Sequence, residues 1–242
     1  MESVKLMNRI DTKYAVASTT LPAILAAAQD DYYVQEIDGR RIATYDTRYY
    51  DTDTLDMYIR HHDRQLVRQK IRVRQYVDSR LTFLEIKRKN NKGRTKKKRM
   101  EVPGFDILGT TLGHTKREMW SVEDYIADKS RYTWEMIRPR LQTLFKRITL
   151  VNKQKTERLT IDMDLQWNNL VTGIRKTYPD LVILELKRDG DTVSPMSEIM
   201  NTLRIRPFKI SKYCIGTVLT TPGIKANRFK AKIRKIEKIC RN

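Results

Sequence analysis

The sequence predicts an α+β fold: about eight antiparallel strands, with helices between and after them. Three observations predict it. Charged and apolar residues alternate along one segment after another, which is the period of a strand. Turn signals such as "NNKGR" at 90–94 separate consecutive strands. Capped stretches with apolar stripes, such as "SPMSEIMNTL" and "KANRFKAKIRKIEKI", recur at helical spacing.

The elements follow in order. In "LMNRIDTKYAV" (6–16), Arg9, Asp11 and Lys13 face one way and Ile10, Tyr14 and Val16 the other. "STTLPAILAAAQDD" has a Ser/Thr start and an early proline, predicting a helix from about residue 20 to 30. "RIATYDTRYYDTDTLDMYIRH" gives a strand, a polar turn and a short segment. In "RQKIRVRQYV" (68–77), Arg68, Lys70, Arg72 and Arg74 oppose Ile71 and Val73. "FLEIKRK" repeats the pattern across a turn near Asp78 and Ser79, setting Glu85, Lys87 and Lys89 against Leu84 and Ile86. "TKKKRMEV" then sets Lys97, Arg99 and Glu101 against Met100 and Val102.

The segments "SVEDYIADK" and "RYTWEMIRPRLQTL" both read as helical. "LFKRITLV" (144–151) and "ERLTIDMDLQW" (157–167) form a hairpin whose charged faces hold Arg147, Arg158, Asp162 and Asp164. "DLVILELKRDG" (180–190) is a strand carrying Glu185 and Lys187. "SPMSEIMNTL" has Ser194 at the N-cap and Pro195 at the first helical position. "FKISKYCIG" adds Lys212 to the charged face, and "KANRFKAKIRKIEKI" is a basic helix with a stripe of Phe229, Ile233, Ile236 and Ile239.

No linker or internal repeat divides the 242 residues, so the expectation is one domain over 1–242. Hydrophobic residues make up 40%, enough for a proper core, and the net charge of +20 implies an anionic partner. Cys214 and Cys240 are too few for a disulfide framework and read as reduced thiols. The charged N-terminus does not look like a targeting signal. The longest apolar run, "LPAILAAA", falls far short of the roughly 20 residues a membrane span needs. A cytoplasmic chain is expected, held to a membrane only through a partner.

A strand face of pure cation would suit a phosphate-binding surface, but here carboxylates are interleaved with the cations. A hard divalent cation such as Mg²⁺ or Mn²⁺ needs such carboxylates together with phosphate oxygens. Arg and Lys hold phosphates, bidentately in the case of Arg. Cations, carboxylates and a metal are the components of phosphoryl transfer. If the sheet closes into a barrel, the apolar face lies outward under the helices and the charged face lines a wet lumen, which eight strands make wide enough for a small ligand.

At these residues the chain resembles the triphosphate tunnel metalloenzymes, a CYTH-like superfamily. Within them it resembles the VTC domain, the polyphosphate polymerase module of the vacuolar transporter chaperone complex. "NRIDTKY", "YYDTDTLDMYIRHHDRQLVRQKIRVRQY", "FLEIKRK", "TKKKRMEV", "FKRITLV…ERLTIDMDL", "LELK" and "SKY" occur in the family's order, nearly end to end. The resemblance implies a closed eight-stranded antiparallel β-tunnel with a charged interior, surrounded by helices. It implies a bound triphosphate, a Mn²⁺ or Mg²⁺ site, and transfer of the ATP γ-phosphate onto polyphosphate with release of ADP. By motif, Lys13, Arg72, Arg74, Lys87, Lys97, Arg147, Arg158 and Lys212 would act on phosphates, with Arg9, Lys89, Arg99, Lys187 and Ser211 as further substrate contacts. Glu185 would be the main metal ligand, and Asp11, Asp162 and Asp164 the weaker candidates. Asp11 stands where the superfamily commonly has Glu, and Phe145 where a Tyr is expected beside the phosphates. The resemblance covers a bare catalytic domain, with neither the phosphate-sensing domain nor the membrane helices of the fungal proteins.

Three functions stay open on the sequence. They are a polymerase, a triphosphatase or polyphosphatase in the same tunnel, and a non-catalytic binder of polyphosphate or nucleic acid. The carboxylates, and the lack of a nucleic-acid-binding signature, count against the third. The basic run at 92–98 could touch nucleic acid, yet alternation sends half of it inside. His61 and His62 could ligate a metal, but a His pair without other spaced ligands is more often structural.

Overall fold

The protein is described by a computed structural model covering residues 9–115, 118–190 and 192–241. β1 (Arg9–Ala17) leads through a short 3₁₀ turn to α1 (Leu21–Ala28). β2 (Tyr32–Val34), β3 (Ala43–Asp51) and α2 (Asp56–His62) follow, then β4 (Arg68–Tyr76), β5 (Leu81–Lys89) and β6 (Thr95–Val102). A small hairpin of β7 (Thr111–Thr115) and β8 (Glu118–Ser121) precedes α3 (Val122–Lys129). Next come β9 (Arg138–Asn152), β10 (Glu157–Asn169), β11 (Arg175–Tyr178) and β12 (Leu181–Asp189). α4 (Pro195–Thr202), α5 (Lys212–Thr220) and α6 (Asn227–Ile239) complete the chain. No helix among the described residues is long and apolar enough to cross a membrane.

The main sheet is antiparallel, in the order β1-β12-β10-β9-β3-β4-β5-β6, with β11 added on β10 and β2 on β9. The eight-strand path matches the expected staves. The closed seam does not: β1 and β6 end the path, with no ladder between them among the described residues. β6 supplies a physical reason. Residues 95–99 are all exposed, and Lys96 and Lys98 sit on an edge that their charge keeps in water. The sheet still wraps. Four strands separate β5 from β12 in the path, yet Lys87 on β5 and Glu185 on β12 are close enough to act on each other's charge.

The outer face is apolar, as alternation predicts. Tyr14, Leu159, Ile161, Leu184 and Leu186 pack with Ile24 of α1 and Met196 and Met200 of α4. Ile71, Val73, Leu84 and Ile86 pack with Val122, Tyr125 and Ile126 of α3. The inner face is divided, which alternation alone does not reveal. Its far half is a third core, where Tyr45, Tyr49, Leu141, Phe145, Trp167 and Ile183 meet Tyr213 and Ile215 of α5, Tyr58 of α2, and Phe229 and Ile236 of α6.

Gly216 lets α5 lie that close. A Cβ there would stand 2.1 Å from Cδ1 of Trp167 and 2.8 Å from Cδ2 of Leu141. The Trp167 indole N–H donates to the Lys212 carbonyl at 2.9 Å, fixing the start of the same helix.

Several elements depart from the sequence reading. The second half of "RYTWEMIRPRLQTL" is strand: Arg138 already pairs with Asp51, and Pro139 occupies the point where the β3–β9 register shifts. Lys212 does not come from a strand. Ser211 caps α5 by accepting from the Cys214 N–H, and Lys212 is the helix's first residue. The Ser194 cap and Pro195 start of α4, and the α6 stripe, stand where expected.

Candidate functional site

The ladders place the charged residues in rows. Across β4, β5 and β6, Lys70, Lys87 and Lys97 are register neighbours, and so are Arg72, Glu85 and Arg99. On the other wall, Asp11, Lys187 and Arg158 form one row, and Lys13, Glu185 and Thr160 the next. Arg147 pairs in register with Asp162. α5 brings Lys212 and Ser211 up from the apolar half.

Three carboxylates hold the cations. Buried Glu85 accepts from Arg72 Nε at 2.6 Å and from Lys97 Nζ at 2.6 Å. Burial alone would raise the Glu85 carboxyl, but Arg72, Arg74 and Lys97 outweigh it and hold the group far below the usual carboxylate range. Asp162 receives Arg147 bidentately, at 2.5 and 2.8 Å, and Lys212 as well. Here too burial pushes up, and Arg147 and Lys212 prevail and lower it. Glu185 sits 3.5 Å from Lys13 and 3.3 Å from Lys187. Against its own burial, Lys13, Lys187, Lys87 and Arg147 keep it ionised well below its ordinary value.

The cations carry the opposite stress. Arg72's charge, and then burial, push the Lys87 ammonium down to about 6. Burial likewise lowers Lys70, Lys187 and Lys212. An anion with several charges would relieve these groups together.

Some sequence candidates stand apart. Asp164 lies in the β10 irregularity between Met163 and Gln166, with φ of 54°, and pairs with exposed Lys146 at 2.9 Å. That bulge breaks the alternation that had set it beside Asp162. Asp162 is inside, but its oxygens are already engaged by Arg147 and Lys212. Arg99 stacks over Phe83 at 4.8 Å near the β6 edge, and Lys89 closes β5 opposite Arg68. Arg9 pairs with Asp189 in β1, and its side chain lies outside the described residues. Ser211 is inside, accepting from Lys70 Nζ at 2.9 Å.

Phe145 replaces an expected hydroxyl with a ring face. It is stacked on Tyr45 at 5.1 Å, with Lys212 Nζ 4.5 Å and the Arg147 guanidinium 5.3 Å from its centroid. Sequence reasoning missed Tyr49, whose hydroxyl accepts from Arg72 at 3.3 Å, and Thr47, which accepts from Arg74 Nε at 3.1 Å. Their signal was present: both share the parity of Tyr45 on β3, the strand paired with β4.

No group of three or more His, Cys, Asp or Glu able to hold a metal occurs among the described residues. A divalent cation here would therefore rest on one or two carboxylates plus phosphate oxygens, the donor set Mg²⁺ accepts. Glu185 fits that role, since its partners are lysines at ion-pair distance rather than a bidentate guanidinium. Asp11 is one register step away, opposite Lys187.

Solved structures share this architecture. A candidate adenylyl cyclase from Hippeastrum, described with a dominant triphosphatase activity, superposes with TM-score 0.51 at 12% identity, over 89% of this chain and 98% of that one. A candidate adenylate cyclase from Vibrio parahaemolyticus superposes with TM-score 0.50 at 9% identity, over 87% of this chain and 99% of that one. No curated protein matches the chain in sequence. The family model of the VTC domain matches residues 8–221, which span every wall of the charged interior, and the chain belongs to that family.

Proposed function

We propose that the protein is a metal-dependent polyphosphate polymerase, which transfers the γ-phosphate of ATP onto a polyphosphate chain and releases ADP. One observation carries the reading: Lys87, in the row of lysines on the β4–β6 wall, lies within charge range of Glu185 across the interior, and the near partners of Glu185 are the lysines Lys13 and Lys187 of its own wall. Lys13, Arg72, Arg74, Lys87, Lys97, Arg147, Arg158 and Lys212 would hold phosphate oxygens in line. Lys187 and Ser211 would extend the path inside, with Arg9, Lys89 and Arg99 toward the edges. Glu185, with Asp11, would hold Mn²⁺ or Mg²⁺, which supplies neutralisation of the charge on the transferring phosphoryl group.

Glu85 and Asp162 fix Arg72 and Arg147 before substrate arrives, so little reorganisation accompanies the reaction. A terminal oxygen of the chain would attack the γ-phosphorus, and the bond to the β-phosphate oxygen would break. Water as acceptor in the same site would give a triphosphatase, the activity described for the Hippeastrum protein. Incubation with ATP and Mn²⁺ separates these outcomes. Polyphosphate on a gel together with ADP supports the polymerase. Free phosphate without chains replaces it with hydrolysis. Tight polyphosphate binding without turnover leaves a binding protein.

A further inference from the structure

His61, at the end of α2, is a polar group that the reaction above does not use. Its Nδ1 is buried and has no hydrogen-bond partner. Its neighbour His62 is satisfied on both sides, by Asp63 and Asn227, each at 2.6 Å. α2 packs on β4 and α5, α6 packs on β1 and α5, and His62 next in the chain joins the end of α2 to α6 through Asn227 and the Phe229 ring, 5.8 Å away. Arg68 and Lys70 on β4, Lys232 on α6 and Lys13 on β1 all act on the ring. Burial, and then those cations, push the imidazole down to about 2, so the free protein holds it neutral.

This cluster differs from the central one. Arg72, Arg147, Lys97 and Lys212 each contact a carboxylate. Lys70 and Lys232 instead donate to neutral oxygens, Ser211 Oγ at 2.9 Å and the Lys209 carbonyl at 2.6 Å. A half-buried imidazole with a buried, unpartnered nitrogen, in the field of ammonium groups that donate to neutral acceptors, suits an anion.

We propose that His61, Lys70 and Lys232 form a second anion subsite, which takes a phosphoryl group of a phosphoanhydride chain beyond the reacting phosphates. The inference rests on the proposed function for its ligand class. As that group binds, its charge offsets the surrounding cations. His61 then takes a proton from solvent and donates Nδ1–H to a phosphate oxygen.

The test uses the full chain, with inorganic pyrophosphate and long-chain inorganic polyphosphate as probes. The only histidines are His61, His62 and His114, so ring resonances can be assigned by substitution. Polyphosphate is expected to move the His61 ring signals to the protonated position near neutral pH, whereas pyrophosphate leaves them unmoved. His61→Ala should weaken polyphosphate binding about tenfold, the loss of one charge-assisted hydrogen bond, and leave pyrophosphate binding unchanged. His61→Asn, which keeps a donor near Nδ1, should recover part of that affinity without the proton uptake seen in calorimetry across buffers. Polyphosphate binding that leaves the His61 signals unmoved, or equal affinity in His61→Asn and His61→Ala, would overturn the subsite while leaving the proposed function standing. Failure of the wild type to bind polyphosphate at all would overturn both.

Discussion

Arg147 and Asp162 face each other across the β9–β10 ladder and join through two parallel hydrogen bonds of 2.5 and 2.8 Å. Lys212 adds a third contact from α5, so one buried carboxylate ties two strands to the helix that fills the far half of the interior. The same pair that, in the proposed function, would orient a cation for phosphate therefore also fastens the fold.

Asp162→Asn is expected to leave Arg147 and Lys212 buried without a countercharge. Removal of one partner from a buried pair typically costs about 3–5 kcal/mol. Urea unfolding at neutral pH measures it. Asp162, Glu85 and Glu185 all have depressed folded-state values. Their contribution is present above the unfolded carboxylate range near pH ~4 and is lost as pH falls through the folded values. Wild type should therefore lose stability steeply below about pH 5, and Asp162→Asn less steeply.

Glu185→Gln should lower metal-dependent turnover by about a hundredfold or more, as for other groups that stabilise transition-state charge. The fold should persist, because Gln keeps the volume. Initial rates across a Mn²⁺ titration, beside a thermal melt, check it. An unchanged rate at saturating Mn²⁺ removes Glu185 from the metal site.

Lys87 gives the site a pH dependence. Its ammonium is disfavoured above a value of about 6 in the free protein, and a bound phosphate would restore it. Binding then takes up a proton, so tripolyphosphate affinity should tighten, by at most about tenfold per unit, as pH falls toward 6. Calorimetry on wild type and Lys87→Gln is the measurement; the variant should show a shallower slope.

Gly216→Ala should destabilise the chain by about 1–3 kcal/mol, the range for overpacking a filled core. The new Cβ would overlap Trp167, so a shifted Trp emission should accompany the lower melting temperature.

We propose that the C-terminal helix is part of the same domain and covers one tunnel end. Deleting residues from Lys225 onward removes Phe229 and Ile236 from the core, and the Tyr58 hydroxyl loses its acceptor, the Lys225 carbonyl at 2.7 Å. Two such side chains amount to about 3–6 kcal/mol of burial. Stability and turnover should both fall in a truncated chain. Unchanged melting and activity would sink the idea.

The sequence by itself determined the main staves of the sheet apart from the start of β9, their charged faces and the family resemblance, because an alternation of period two is local. "RQKIRVRQYV" needs no partner to show that Arg72 and Arg74 share a side. Tertiary structure decided what breaks that period. The β10 bulge turns Asp164 to Lys146, which no spacing announces. Lys212 reaches the cations from a capped helix, because α5 fills the apolar half of the inner face and Gly216 gives it room. The pairing of Asp162 with Arg147 and Lys212, and the isolation of His61 Nδ1, depend on elements far apart in the chain. Such contacts depend on how the sheet wraps, and the wrapping follows from packing across its two faces rather than from any one segment.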